Sequence, residues 1–234
     1  MASPTNPSEK IIVALDVPTD DAVFKLIDDL GDAVRFYKIG LQLFTKYGPT
    51  LVQRVKATGT KVFLDLKFHD IPNMVQHAVE SASALGVDIT TLHLVGGGKM
   101  IASAVAGAGG GSVLLLGVTV LTSSSRETLQ EVGVHGAIED EVLRLAKLGV
   151  ENGLRGVVAS PLEISLLRQI FGAALTIVTP GVRPAWAAAN DQQRTLTPRE
   201  AVIAGADFLV IGRPITAHAN PAEAARMIAD EIAG

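Results

Sequence analysis

Eight short apolar runs, spread along the whole chain, constrain what this sequence can fold into more than any other feature. They are IIVALD (11–16), VRFYKIG (34–40), KVFLDLK (61–67), VDITTLHL (87–94), SVLLLGVTV (112–120), GVVAS (156–160), LTIVTPG (175–181) and DFLVIG (207–212). Most are near-continuous rather than alternating. A strand with one face in water alternates apolar and polar residues, whereas a strand covered on both faces does not. The runs therefore predict parallel strands buried between other layers.

Helical spacing fills the gaps. In TDDAVFKLIDDL (19–30), Val23, Leu26, Ile27 and Leu30 share a face, with Thr19 as N-cap and Asp20 and Asp21 in the first turn. In IPNMVQHAVESASAL (71–85), Ile71, Val75, Ala78, Val79, Ala82 and Leu85 fall together before Gly86. Residues 137–149, 161–171, 198–205 and 221–232 read the same way, and Gly149, Gly172 and Gly205 stand where helices should stop. The glycine triplets at 96–98 and 109–111 fit no phosphate-loop pattern and read as loops around a helix.

Strand and helix alternating about eight times predicts an α/β fold, a single closed (β/α)8 barrel. The rival is an open doubly wound sheet, which needs a glycine-rich fingerprint after its first strand. The segment ALDVPTDD has no glycine there. No linker or composition shift divides the chain, so the barrel is expected to occupy 11–234 as one domain. The first ten residues, MASPTNPSEK, lack the apolar segment of a secretion signal and read as a loose polar tail on a cytoplasmic protein.

Composition narrows the function classes. A net charge of −4 gives no basic surface for nucleic acid. The absence of cysteine excludes disulfides and thiolate metal sites. No apolar run is long enough to span a membrane. Aromatics make up only 4%, so the core is expected to be built from Ala, Val, Leu and Ile.

A barrel of this kind carries its active site at the C-terminal ends of the strands. There the runs end in Asp16, Lys38, Asp65 with Lys67, His93, Thr119 with Thr122, Arg183 and Gly212 with Arg213. Asp65 and Lys67 are two apart, which on a strand places both on one face. An outward ion pair would be desolvated against the helix layer at a cost, whereas an inward pair at the mouth stays partly hydrated. A carboxylate neighbour favours a charged lysine, which makes Lys67 a candidate proton donor. The residues alone leave a second reading open, a salt bridge that only closes the mouth. Asp70 also fits a helix N-cap, and His69 a packing or hydrogen-bonding role. His77, His135 and His218 have no ligand-like spacing, and no carboxylate cluster around His93 points to a metal. Loops after the last two strands of such barrels often bind phosphate. Arg213 offers a planar fork, and Gly212 allows close approach of its backbone N–H. Arg183 is open between a phosphate ligand and an ordinary arginine.

With these residues in view, DLKFHDIPN (65–73) resembles the signature of the orotidine 5′-phosphate decarboxylase family. ALD (14–16), YKIG (37–40), VTVLTS (118–123), TPGVRP (179–184), DQQR (191–194), TP (197–198) and IGRPI (211–215) follow in the family's order, from about residue 11 to about residue 230. Met74 departs from the pattern, because the family commonly has threonine after IPN.

The resemblance implies a homodimeric barrel that converts orotidine 5′-phosphate to uridine 5′-phosphate, the last step of de novo UMP synthesis, with no metal and no organic cofactor. It implies that Lys67 protonates C6 and that Asp65 lies near the departing carboxylate. Asp70 would enter the partner's site across the dimer interface. Asp16 and Lys38 would hold ribose hydroxyls, with Lys38 also in the charged array, and Thr122 would contact the pyrimidine. Gln192, Arg183, Gly212 and Arg213 would hold the phosphate, and the polar, Ala-rich stretch 185–195 is a candidate lid. Two other readings stand beside it. One is a metal-dependent sugar-phosphate decarboxylase or synthase of the same barrel group, which places an acidic residue near the position of Lys38. The other is a silent nucleotide-binding protein, against which stands the cost of keeping a charged cluster for no chemistry.

Overall fold

The computed structural model describes residues 4–187 and 196–234. Within them, eight strands close into one parallel barrel in sequence order. They are β1 (Ile11–Ala14), β2 (Phe36–Gly40), β3 (Lys61–Phe68), β4 (Ile89–His93), β5 (Leu114–Val118), β6 (Gly156–Val158), β7 (Thr176–Pro180) and β8 (Phe208–Ile211), with β8 pairing back to β1. The helices are α1 (Asp20–Leu30), α2 (Leu41–Ala57), α3 (Pro72–Ala84), α4 (Gly98–Gly107), α5 (Arg126–Glu131), α6 (Ile138–Glu151), α7 (Ile164–Phe171), α8 (Pro198–Ala204), α9 (Arg213–Thr216) and α10 (Pro221–Ala233). All eight apolar runs are strands, seven of them shortened at one or both ends and β3 extended to Phe68.

Strand alternation sorts the core into two. Ile11, Val13, Tyr37 and Leu209 face outward and pack with the helices, while Ile12, Phe36, Phe63, Leu116, Val178 and Phe208 fill the barrel. The expectation of an aliphatic core holds between strands and helices but not inside the barrel. There three phenylalanines lie together: Phe36 and Phe208 meet edge to face with ring centroids 5.9 Å apart, beside Phe63. A closed interior needs a few large side chains to reach the axis from widely separated strands.

Local chemistry explains most helix ends. Thr19 caps α1 by accepting the Ala22 N–H at 3.2 Å. Gly172 and Gly205 end α7 and α8 at φ 60° and 113°, where other residues are strained. Gly149 does not end its helix. α6 continues to Glu151, and a Cβ at Gly149 would stand 3.0 Å from Leu94, so this glycine serves close packing. The sequence reading missed α2, whose periodicity is broken at Gly48–Pro49, where Gly48 has φ 60°. The polar tail expected over 1–10 is ordered at its end. Pro7–Lys10 form a 3-10 turn packed on α10, because Asn6 accepts the Ser8 N–H at 3.1 Å and Pro7 presets the turn.

Candidate active site

The inward positions at the C-terminal end of the barrel carry charge where the deeper positions carry phenylalanine. Lys38 stands one inward position above Phe36 on β2, and Asp65 one above Phe63 on β3. Lys67 Nζ lies 2.8 Å from Asp65 Oδ2, and Lys38 Nζ lies 3.8 Å from the same oxygen. Lys38 also reaches Asp16 Oδ1 at 3.2 Å, just past the end of β1. The result is a row of alternating charge, Asp16–Lys38–Asp65–Lys67. Its middle is buried and its ends are open: the side chains of Lys38 and Asp65 are each 12% exposed, against 63% for Asp16. Gly40 makes room for it, since a Cβ there would come within 3.0 Å of Lys38 Nζ.

Asp65 and Lys67 do meet on one face, but not on a regular strand. The β3–β4 register jumps from Leu64↔Thr90 to Phe68↔Leu92, so residues 65–67 stand against Thr91 alone. Lys67 has φ 52° and is the one non-glycine residue with positive φ among the described residues. Bulges of this kind re-aim side chains at barrel rims, and a strained backbone often marks a functional position.

Lys38, Asp65 and Lys67 of this row form one wall of a cavity of about 250 Å³. Val118, Val158 and Pro180 form an apolar wall, and Thr122 and Ser123 lie at its edge. Thr122 was expected from the sequence and Ser123 was not. A larger concavity of about 410 Å³ lies at the opposite end, among Asn6, Arg35 and Lys61, and none of the candidate residues lines it.

The remaining candidates are distributed as follows. Gly212 and Arg213 follow β8 directly, and Arg213 opens the short helix α9. Arg183 is buried two residues past Gly181, on the loop after the neighbouring β7, and donates to the Val182 carbonyl at 3.0 Å. Gln192 and most of the candidate lid lie outside the described residues. Asp70 is exposed and does not cap α3; the helix N-cap is Ile71, and Asp70 Oδ1 accepts the Ile71 N–H at 2.6 Å. Among the described residues of one chain, no ion pair joins Asp70 to Lys67. The His93 ring is 5.9 Å from that of His69. Burial, helped by His69 and Lys67, holds the His93 pKa below its ordinary 6.5. Thr119 faces away from the cavity chemistry, donating to the Val158 carbonyl at 3.0 Å.

One residue of the site escaped the sequence reading. Thr91 is fully buried; its hydroxyl donates to Asp65 Oδ1 at 2.9 Å and accepts the Lys67 N–H at 2.9 Å. Strand parity alone pointed to it, as the inward residue next to His93 in ITTLH.

Residues 9–228 match the family model described as "Orotidine 5'-phosphate decarboxylase / HUMPS family". The chain belongs to that family. Similar curated proteins include the orotidine 5′-phosphate decarboxylase of Geobacter sulfurreducens, 51% identical over 96% of each chain. That of Syntrophotalea carbinolica is 50% identical over 96% of this chain and 95% of its own. Among solved structures, orotidine 5′-phosphate decarboxylase from Lactobacillus acidophilus superposes with a TM-score of 0.85 at 38% identity, covering 97% of this chain and all of that one. The membership covers every candidate residue from Asp16 to Arg213, and it agrees with the family resemblance carried by DLKFHDIPN.

Proposed function

We propose that this chain decarboxylates orotidine 5′-phosphate to uridine 5′-phosphate, as its family relatives are named for doing, in the last step of UMP synthesis and in the cytoplasm. The observation that carries the reading is the Lys38–Asp65–Lys67 array on the wall of a cavity at the barrel mouth. Loss of CO₂ breaks the C6–carboxylate bond and leaves the electron pair on C6, in an orbital the pyrimidine ring stabilises poorly. Many decarboxylases place an electron sink there. Here the Lys67 ammonium supplies fixed positive charge next to the developing carbanion. It then transfers a proton from Nζ to C6, and solvent restores that proton. Asp65 and Lys38 keep the ammonium aimed. Asp16 and Lys38 hold ribose hydroxyls, and Thr122 contacts the base.

Arg183, Gly212, Arg213 and Gln192 take the phosphate, far from the bond that breaks. Binding energy from such a remote group can be used to align the base. We place Asp70 in the partner's cavity. Its exposure, and its lack of an ion pair to Lys67 within one chain, support a homodimer with composite sites. The sugar-phosphate alternative is disfavoured by Lys38, a cation 3.8 Å from Asp65 where those relatives carry an acid.

The test is to mix metal-chelated protein with orotidine 5′-phosphate and follow the substrate's ultraviolet absorbance. Rapid loss with UMP as product is expected. No change in a folded protein that still binds UMP would overturn the reading in favour of the silent binder. Activity that appears only with magnesium and a sugar phosphate would favour the alternative enzyme. The composite site has its own test. Lys67→Ala and Asp70→Ala proteins, each inactive, should regain about a quarter of wild-type turnover when mixed, because half the dimers are hybrids with one intact site. No recovery after demonstrated subunit exchange removes Asp70 from the shared site.

A further inference from the structure

We infer that Thr91 is a positioning residue whose hydroxyl holds the Asp65–Lys67 pair in its reactive geometry. The inference rests on the decarboxylase reading for its effect on turnover, but not for its geometry.

Three residues of β3 stand against Thr91 in the bulge, so the ladder leaves the Lys67 N–H without a backbone acceptor from β4. The Thr91 hydroxyl takes that place at 2.9 Å. A hydroxyl has one proton to give. With the Lys67 N–H pointing at its lone pair, Thr91 gives that proton to Asp65 Oδ1, again at 2.9 Å. Oδ1 is thereby occupied, and Oδ2 is turned to Lys67 Nζ at 2.8 Å and Lys38 Nζ at 3.8 Å. One buried oxygen thus fixes the backbone of the lysine and the rotamer of the aspartate that aims it. Successive hydrogen bonds in a low-dielectric site polarise one another, which stiffens the arrangement. The left-handed φ of 52° at Lys67 is unfavourable for a side-chain-bearing residue and persists only where the surroundings over-determine it. Thr91 is the contact from β4 that does so.

The test compares Thr91→Val, which keeps the shape and removes both hydrogen bonds, with Thr91→Ser, which keeps the hydroxyl. Misplacing a reacting group by about 1 Å costs about 100-fold in rate. T91V is therefore expected to lose about that much kcat while UMP affinity stays within about threefold, and T91S to recover most of the loss. A residue with only a structural role would lower Tm in T91V and leave kcat alone, and that result overturns the inference. So does T91S as impaired as T91V. If T91V does not fold, Thr91→Cys, a weak donor and acceptor, takes its place: at least a tenfold loss in kcat supports the inference, and unchanged kcat overturns it.

A crystal structure of the variant gives a second readout. In T91V, or T91C in its place, Lys67 should leave the left-handed region or lose its contact with Asp65. Both retained would overturn the inference whatever the activity. Wild-type protein in the same assay separates the two claims. If it fails to decarboxylate, the enzyme reading falls, and the crystal structure still decides Thr91.

Discussion

At the N-terminal end of the barrel, Asp88 and Asp207 each stand one residue before a strand, β4 and β8. Asp88 Oδ2 accepts the Val62 N–H of β3 and the Lys56 ammonium of α2, both at 2.8 Å. Asp207 Oδ2 accepts the Ile177 N–H of β7 at 2.7 Å and the Arg168 guanidinium of α7 at 2.8 Å. The two braces are four strands apart and built alike. At the C-terminal end, Asp65 meets cations at comparable distances, but its oxygens take only side-chain donors, from Thr91, Lys67 and Lys38. A carboxylate that accepts a strand N–H completes the backbone ladder and ties a helix to it. A carboxylate held only by other side chains, beside a cavity, is available to organise chemistry. Both ends use the same residue types; the difference is that each brace carboxylate accepts a strand N–H as well as a cation, whereas Asp65 takes side-chain donors. That difference supports the proposed catalytic reading of Asp65 and Lys67 over a salt bridge that only closes the mouth.

The sharpest way to break the comparison is at Lys67. Lys67→Ala is expected to lower turnover by at least about 1,000-fold, the scale for removing a fixed charge aimed at a transition state. UMP binding should survive, as isothermal titration would show. Near-normal turnover would end the distinction between the two ends. Lys67→Gly should be equally inactive yet about 1 kcal/mol more stable than Lys67→Ala in urea unfolding, because glycine tolerates the left-handed φ.

Asp207→Ala should do the reverse. Removing one partner of a largely buried ion pair costs about 3 kcal/mol. For a chain of this size that lowers Tm by about 6–12 °C, while turnover at 25 °C stays near wild type. Asp88→Ala should follow with a smaller loss, since Asp88 and Lys56 are more exposed than Asp207 and Arg168. A fall in kcat without loss of stability in either variant would make the N-terminal end functional too.

The smallest effect concerns His93, which faces Lys67, Asp65 and His69. Its folded pKa lies below the ordinary 6.5, so as pH falls below that value the unfolded chain binds a proton that folded His93 resists. Stability contributed by neutral His93 is present above pH 6.5 and is lost as pH falls toward the folded pKa. His93→Gln should flatten that part of the Tm-versus-pH curve, and an unchanged curve would assign the acid sensitivity to other groups.

Much of this was readable in the chain. Period and length gave the eight strands, because a strand buried on both faces has to be apolar throughout. The order of strand ends placed Asp16, Lys38, Asp65 and Lys67 on one rim, because every strand of a parallel barrel points the same way. Helices were lost where local signals conflict, as at Gly48–Pro49 in α2, and misjudged where a glycine serves packing, as at Gly149.

The linear sequence thus determined which chemical groups reach the mouth and from which strands, since those follow from side-chain parity and chain direction. Tertiary structure alone decided how they are held. The bulge in β3, the left-handed Lys67, the Thr91 hydroxyl serving both Asp65 and Lys67, and the paired braces at the opposite end all depend on the register between neighbouring strands. Register is a relation between segments distant in sequence, set by the closure of the whole barrel, and no single run encodes it.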